Sequence, residues 1–111
     1  MSETDPYLAH EAVLMDIARE RARQMHDERW TPSHDDGHSR GEMAAAAGCY
    51  AIVAGCSDRS RAQFVTKSYP EWPWDERWWK PTDRRRDLVK AAALIVAEIE
   101  RLDRGEAAKS E

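Results

Sequence analysis

The sequence predicts a mainly α-helical fold, a compact three-helix domain with an ordered loop rich in tryptophan and proline and with little or no β structure. Three segments repeat apolar residues at the three- and four-residue spacing of a helix face, and no segment of useful length alternates as a half-buried strand does. Four of the five tryptophans lie within Trp72–Trp79. Pro73 and Pro81 stiffen that stretch and withhold backbone donors. We therefore expect it to form an ordered, non-helical lid.

The composition indicates one globular domain over residues 1–111, with an ordered core at about 7–104 and polar termini. The chain is 41% hydrophobic and 34% charged, as globular domains are, and its net charge of −4 argues against binding to duplex nucleic acid. No apolar run is long enough for a membrane span, and the acidic start is unlike a signal peptide. Cys49 and Cys56 are interpreted as reduced thiols, and we expect a cytoplasmic location.

The first two helices are predicted from periodicity and capping. The first covers about 7–28. Its apolar stripe consists of Leu8, Met15, Ala18, Ala22 and Met25. The second opens at Ser39, which with Glu42 fits a capping box, and continues through four alanines to Val53. So many small residues allow close approach of another helix, either within the chain or in a homo-oligomer.

The last helix begins after Thr82 or Asp83, either of which suits an N-cap, and ends at Gly105. Its stripe consists of Leu88, Ala92, Ile95, Ile99 and Leu102, and it is broadened by Val89, Ala93 and Val96. The connector at 55–70 contains a short helix opened by Ser60. Each apolar stripe is expected to face the core.

Three arginines, Arg84, Arg85 and Arg86, occupy the first turn of the last helix. The helix dipole is positive there and disfavours cations, so this placement costs stability unless anions are near. A helix N-terminus with arginines is suited to phosphate binding. The alternative is that the arginines pair with acidic groups of the chain. The acidic candidates are Asp35, Asp36, Asp83 and Asp87.

A loop of the pattern His-Asp-Asp-Gly-His covers 34–38 and is followed by Glu42. Two histidines with three carboxylates are ligand types for a divalent metal, but their spacing matches no strong metal signature. Polar contacts to the ribose or base of a ligand, and hydrogen bonds that staple the loop, remain the other interpretations. The tryptophans likewise have two interpretations, as core and lid or as stacking surfaces for a flat ligand. No pattern indicates nucleophilic catalysis or a phosphate-binding glycine-rich loop.

The whole chain resembles a group of small phage and prophage proteins. The resemblance is carried by Glu20–Gln24, Trp30–His38, Gly41-Glu42, Trp72–Pro81 and Arg86–Arg104. It covers most of the chain and implies a phage-encoded protein that works in the cytoplasm of a bacterial host, but it implies little biochemistry.

Part of the chain also resembles the ryanodine-receptor (RyR) repeat. The charged helix end, the tryptophan and the Arg-Asp-Asp-like turn of that repeat are similar to Arg23–Thr31 with Asp35 and Asp36. The entry into its final helix is similar to Lys80–Arg84. The chain departs from the repeat at Arg29, where the family usually has glycine, and in its inserted alanine-rich helix. The resemblance implies adenine-nucleotide binding. By it, the ligand candidates are Trp30, Asp35, Asp36, Lys80 and Arg84.

A rival resemblance is to the MazG-like all-α nucleoside triphosphate pyrophosphohydrolases. It is carried by the Arg-x-Arg-Gln pattern at 21–24, the His/Asp loop and the Leu-Val-x-Ala-Ala pattern at 88–92. Those enzymes hold magnesium between carboxylates on two facing helices. Here the second helix offers only Glu42, and the last offers Asp87 with Lys90 three residues on, so the chain departs from the metal cage.

These patterns together predict a protein that binds a phosphorylated, nucleotide-derived small molecule without turning it over and that has no catalytic residue, metal or cofactor. By sequestering a cyclic-nucleotide or ADP-ribose-type immune signal, it would block host anti-phage defence. A pyrophosphohydrolase and a module that binds a host protein stay open as alternatives, and a homo-oligomer is possible. The predicted ligand-binding residues are Trp30, His34, Asp35, Asp36, His38, Trp74, Trp78, Trp79, Lys80, Arg84, Arg85 and Arg86.

Overall fold

This computed structural model describes residues 5–110, which contain five α-helices and two short 3-10 turns. In order they are a 3-10 turn at Pro6–Leu8, α1 (His10–Asp27), α2 (Pro32–Asp36), α3 (Glu42–Gly55), α4 (Asp58–Gln63), a 3-10 turn at Glu76–Trp78 and α5 (Arg84–Ser110). Residues 5–110 contain no strand, so the predicted mainly α class is confirmed. The three predicted helices correspond to α1, α3 and α5. Over the same residues, no helix has both the length and the apolar character needed to cross a bilayer.

The hydrophobic core lies between α3 and α5. Ala46 and Ala47 of α3 are buried and, being small, let that helix approach Leu94 of α5 closely. The alanine-rich face is therefore used for contact within the chain. Trp72 and Trp79 close the end of this core, and their indole nitrogens donate to backbone carbonyl oxygens. These hydrogen bonds hold residues 72–79, which we call the tryptophan segment, in place. The segment is irregular apart from its single 3-10 turn.

The N-terminal helix α1 packs on α5 through polar side chains rather than through its predicted stripe. Leu8, Met15 and Ala18 are exposed, whereas Glu20, Arg21 and Gln24 are buried. Expecting the apolar stripe to face the core was wrong here, because periodicity locates an apolar face without showing what covers it.

The buried guanidinium of Arg21 joins α1, α2 and α5. It donates to Asp35 and Glu100, both at 3.0 Å, and to the carbonyl oxygen of Trp30 at 3.2 Å. Burial raises the pKa of Asp35 even though the charge of Arg21 acts in the opposite direction. The Asp35 carboxylate is thus a structural partner of Arg21.

The stripe predicted to bury α5 lies outward, except for two of the residues that broaden it. Leu88, Ile95, Ile99 and Leu102 are each about half exposed, whereas Val89 and Ala93 are buried. The helix has a second apolar face, and it is this face that α1 and α3 cover. Its buried apolar residues are Val89, Ala91, Ala93, Leu94 and Ala97.

Helix ends were predicted with mixed success. Asp83 does cap α5 by accepting a hydrogen bond from Arg86 N at 2.9 Å. The Ser39 capping box is wrong, since α3 is preceded by Gly41 at φ 83°, a conformation that suits glycine, and the Glu42 carboxylate accepts from Arg40 N. Ser57 rather than Ser60 caps α4. The prediction that Gly105 ends α5 is also wrong, because the helix continues to Ser110.

Candidate functional site

A two-lobed cleft lies between the C-terminal half of α1, the tryptophan segment and the start of α5. Its lobes have volumes of about 350 and 470 Å³, and both are lined by Glu28, Trp30 and Trp78. We call the smaller one the charged lobe; its other lining includes Glu20, Arg23, Gln24, Lys80, Arg86 and Lys90. The larger one is the aromatic lobe, whose other lining residues are Arg29, His34, His38, Trp74 and Asp75.

The aromatic lobe is built from rings of α2 and of the two loops beside it. The centroids of Trp30 and Trp74 are 5.6 Å apart, and His38 lies 5.2 Å from Trp74 and 4.7 Å from His34. Thr31 begins α2 by accepting a hydrogen bond from His34 N, which fixes where the two histidines lie. The result is an apolar pocket of flat surfaces, of a kind that suits a planar ring.

The backbone positions Trp30 at the junction of the two lobes. Arg29 has φ 64°, a left-handed conformation that ends α1 and turns the chain sharply. Trp30 N then donates to the carbonyl oxygen of Gln24 at 2.9 Å. Glycine adopts a positive φ most readily, so an arginine in this conformation is uncommon.

Glu20 is the centre of the charged lobe and is fully buried. Its carboxylate accepts two hydrogen bonds from Arg23, at 2.8 and 2.9 Å, one from Arg86, and one from Gln24 Nε2 at 3.0 Å. Burial alone raises the pKa of Glu20, but the hydrogen bonds and charges of these arginines outweigh it, and the pKa lies below its usual value. The carboxylate is therefore ionised and holds both guanidinium groups at the cleft wall.

Gln24 leaves an acceptor without a partner beside this carboxylate. Its amide nitrogen must face Glu20, because a carboxylate oxygen only accepts. Its Oε1 is then buried and makes no hydrogen bond in the structure. The wall of the lobe thus contains one buried acceptor without a partner.

Lys80 lies on the opposite wall, and both of its backbone polar groups make hydrogen bonds. Its N–H donates to the Tyr50 hydroxyl at 3.1 Å, and its carbonyl accepts from Lys90 Nζ. Burial raises the pKa of Tyr50 to about 12 and lowers the pKa of Lys90. The Lys80 ammonium itself lies 5.3 Å from the Trp78 ring centroid and 3.5 Å from Glu28. These bonds fix the tryptophan segment to α3 and α5.

The charged lobe contains two more cations than carboxylates. Its cations are Arg23, Lys80, Arg86 and Lys90, and its carboxylates are Glu20 and Glu28. A positive cleft in a chain of net charge −4 is a local feature that favours an anionic ligand.

Seven of the predicted ligand-binding residues line this cleft. Trp30, His34, His38, Trp74 and Trp78 are in the aromatic lobe; Lys80 and Arg86 are in the charged lobe. Trp30 and Trp78 belong to both lobes.

The other five predicted residues lie elsewhere. Asp35 binds Arg21, as described above, and Asp36 binds Arg104 at 2.7 Å. Trp79 belongs to the core, where it stacks on Tyr50 with ring centroids 4.7 Å apart.

The arginine run is divided among three surroundings. Arg84 donates to the carbonyl oxygens at the end of α3, Arg85 donates to Asp16 of α1 at 2.7 Å, and only Arg86 reaches the cleft. Successive helical residues point about 100° apart, so three neighbours cannot serve one site. The predicted alternative of pairing with acidic groups describes all three, but the partners are Asp58, Asp16 and Glu20.

Sequence reasoning missed the cleft residues Arg23, Gln24, Glu28, Tyr50 and Lys90. Lys90 carried a signal, since it interrupts an otherwise apolar run in α5 and a lysine buried there needs acceptors. The buried polar face of α1 carried none that periodicity detects.

No metal centre is evident among residues 5–110. They contain no group of three His, Cys, Asp or Glu side chains placed to hold an ion. His38 Nδ1 instead lies 3.3 Å from Glu42 Oε2. Comparisons with protein-family models, with curated proteins and with solved structures found no match.

Proposed function

We propose that the two-lobed cleft binds a phosphorylated nucleotide and does not turn it over. The observation that carries this proposal is the direct connection of an aromatic lobe to a positively charged lobe through the shared side chains of Trp30 and Trp78. A nucleotide joins a flat, largely apolar base to phosphates in the same order. Together the lobes have the size typical of small-molecule sites.

In this arrangement the base lies in the aromatic lobe and the phosphates lie in the charged lobe. Trp74 and Trp78 provide ring faces for stacking, and guanidinium groups such as Arg86 are suited to phosphate oxygens, which they bind in pairs. The ligand is therefore expected to combine a flat ring with negative charge.

The physiological role we propose is sequestration. A phage protein that holds a cyclic-nucleotide or ADP-ribose-type immune signal intact would lower its free concentration and so block host defence. The phage resemblance of the sequence motivates this step.

The test is a mass balance with matched variants. Purified protein is mixed with ADP, cyclic dinucleotides and ADP-ribose isomers, with and without magnesium, and free ligand is measured by chromatography before and after heat denaturation. One ligand is expected to disappear and to return intact. Arg86→Gln should weaken its binding by about tenfold or more, because a hydrogen bond to a charged group contributes about 1.5–3 kcal/mol.

Arg85→Gln is the control. Arg85 has the same chemistry one residue away, but it lies outside the cleft with its side chain 66% exposed, and its replacement should leave binding unchanged. Equal effects of the two variants would contradict the assignment of the cleft. Recovery of new products would show a hydrolase instead. If every nucleotide stays free, the proposal fails and the tryptophans become candidates for a protein-binding surface.

A further inference from the structure

The outward face of α5 is a regular apolar stripe. Leu88, Ile95, Ile99 and Leu102 are exposed at 52, 48, 51 and 55% respectively, and Ala92 lies between the first two. Their spacing alternates four and three residues over the whole stripe. That is the a/d heptad pattern of a helix that packs along another helix, with Ala92 and Ile99 at a and the others at d.

The adjoining part of α1 adds to this face. Asp16 binds Arg85, which lies one turn before Leu88 on the same side of α5. Val13, one turn before Asp16 on the same side of α1, is apolar and also partly exposed. A contiguous exposed apolar surface is typical of a protein–protein interface. A stable interface of this kind buries about 800 Å² on each partner.

We propose that a second copy of this chain covers the stripe, with the two α5 helices antiparallel. A twofold axis makes one surface its own partner, and the antiparallel a–d layers place Leu88 against Ile99 and Ala92 against Ile95 of the second copy. Each layer that contains Ala92 then joins a small side chain to a large one, as close packing requires. The proposal does not depend on the nucleotide cleft, which lies on other faces of α1 and α5.

Charge selects the antiparallel orientation. A parallel pair would bring the two Arg85 side chains, which lie on the side of the stripe, together at one end, and like charges repel. The antiparallel pair separates these side chains by the length of the stripe. It also brings Arg85, whose side chain is 66% exposed, beside Leu102 and Asp103 of the second copy, so that the arginine stem covers the leucine and its charge meets a carboxylate.

The first measurement is the oligomeric state of the full chain by sedimentation equilibrium. We expect a dimer in the micromolar range, and Ile95→Glu should raise its dissociation constant at least about 100-fold because each dimer carries the substitution twice. Ile52→Glu is the matched control, since Ile52 is 50% exposed but lies on α3, away from the stripe. It should leave the dimer intact. Circular dichroism reports whether each variant keeps its helices.

Disulfide trapping tests the orientation independently of that variant, in a Cys56→Ser background. Mixed Leu88→Cys and Ile99→Cys chains are expected to cross-link to each other, and neither is expected to cross-link when oxidised alone. A wild-type chain that stays monomeric at high micromolar concentration overturns the proposal. Efficient cross-linking of Leu88→Cys chains alone overturns the antiparallel arrangement.

Discussion

Replacing Glu20 by glutamine separates the two roles assigned to this carboxylate, in folding and in setting the charge of the cleft. Glu20→Gln preserves the shape of the side chain but removes its negative charge. The amide oxygen, at the position of Oε1, continues to accept from Arg23 Nε and from Arg86, and Gln24 can turn its unpartnered Oε1 toward the new amide nitrogen. What is lost is the charge of the carboxylate and the second contact of Arg23, which Oε2 accepts in the wild type.

The expected loss of stability at neutral pH is about 2 kcal/mol, the value typical of one hydrogen bond to a charged group. Its pH dependence follows from the lowered pKa of Glu20. A carboxylate with a lowered pKa in the folded state stabilises the fold above its unfolded pKa, near 4.5, and this stabilisation is lost as the pH falls through the folded value. The difference between variant and wild type should therefore shrink in acid.

The same change should strengthen nucleotide binding. With one carboxylate fewer, the charged lobe becomes more positive; a unit charge about 8 Å from a phosphate contributes about 2 kcal/mol at an effective dielectric constant of about 20, before salt screening. We expect a gain of about tenfold at low salt and a smaller gain at physiological ionic strength. The expected result of Glu20→Gln is therefore a protein of lower stability that binds the nucleotide with higher affinity.

Urea denaturation at about pH 7 and about pH 4 measures the first effect, and titration with ADP and with pyrophosphate at two salt concentrations measures the second. Asp16→Asn is the control, because it removes a carboxylate that binds Arg85 at the surface; it should change stability by less than about 0.5 kcal/mol and binding not at all. A stability difference that grows in acid would refute the assigned ionisation. Weaker binding of both ligands by Glu20→Gln would refute the charge argument.

Three further predictions concern buried groups of the fold. Asp87→Asn should destabilise the fold by about 3 kcal/mol, because the fully buried Asp87 accepts from Arg61 and from the backbone at 2.8 Å; a loss below about 1 kcal/mol in urea denaturation would contradict this. Cys49 is buried and its pKa is raised by burial, so a thiol reagent followed by peptide mapping should modify the partly exposed Cys56 first, and equal rates would be inconsistent with the fold. Since the pKa of Tyr50 is about 12, the absorbance titration should show a last tyrosine step that Tyr50→Phe removes. The neutral phenol's contribution to stability is lost as the pH rises through that value, and the burial would be disproved if the step that Tyr50→Phe removes lay near pH 10 instead.

The sequence was sufficient to locate the three long helices, since each repeats apolar residues at helical spacing over many turns. It was not sufficient to assign their faces. The α5 stripe from Leu88 to Leu102 fits a helical face well, yet α3 packs against the face that contains Ala91 and Leu94. Periodicity reports how a helix is patterned, whereas the choice of which face is buried within the chain depends on tertiary contacts.

The aromatic lobe was predictable in part, because the tryptophans had two interpretations and each describes some of them. Trp72 and Trp79 belong to the core, whereas Trp30, Trp74 and Trp78 meet in one lobe. The charged lobe was harder to predict, because its cations lie on three separate segments of the chain. Whether a cation lines the cleft depends on the direction in which its side chain points, and composition does not show that direction. Arg86 enters the cleft while Arg85 does not, a distinction that requires knowing the rotation of α5 relative to α1.

The two hydrogen bonds to the backbone of Lys80 have a kinetic consequence. Tyr50 and Lys90 hold its two polar groups, so the wall that carries Trp78 is in place before a ligand arrives. Little chain entropy remains to be lost on capture, and no loop closure slows the encounter. Diffusion and the positive field of the charged lobe would then set the association rate, which would fall with added salt. A cleft built in this way responds to a sudden rise in ligand as quickly as the molecules meet.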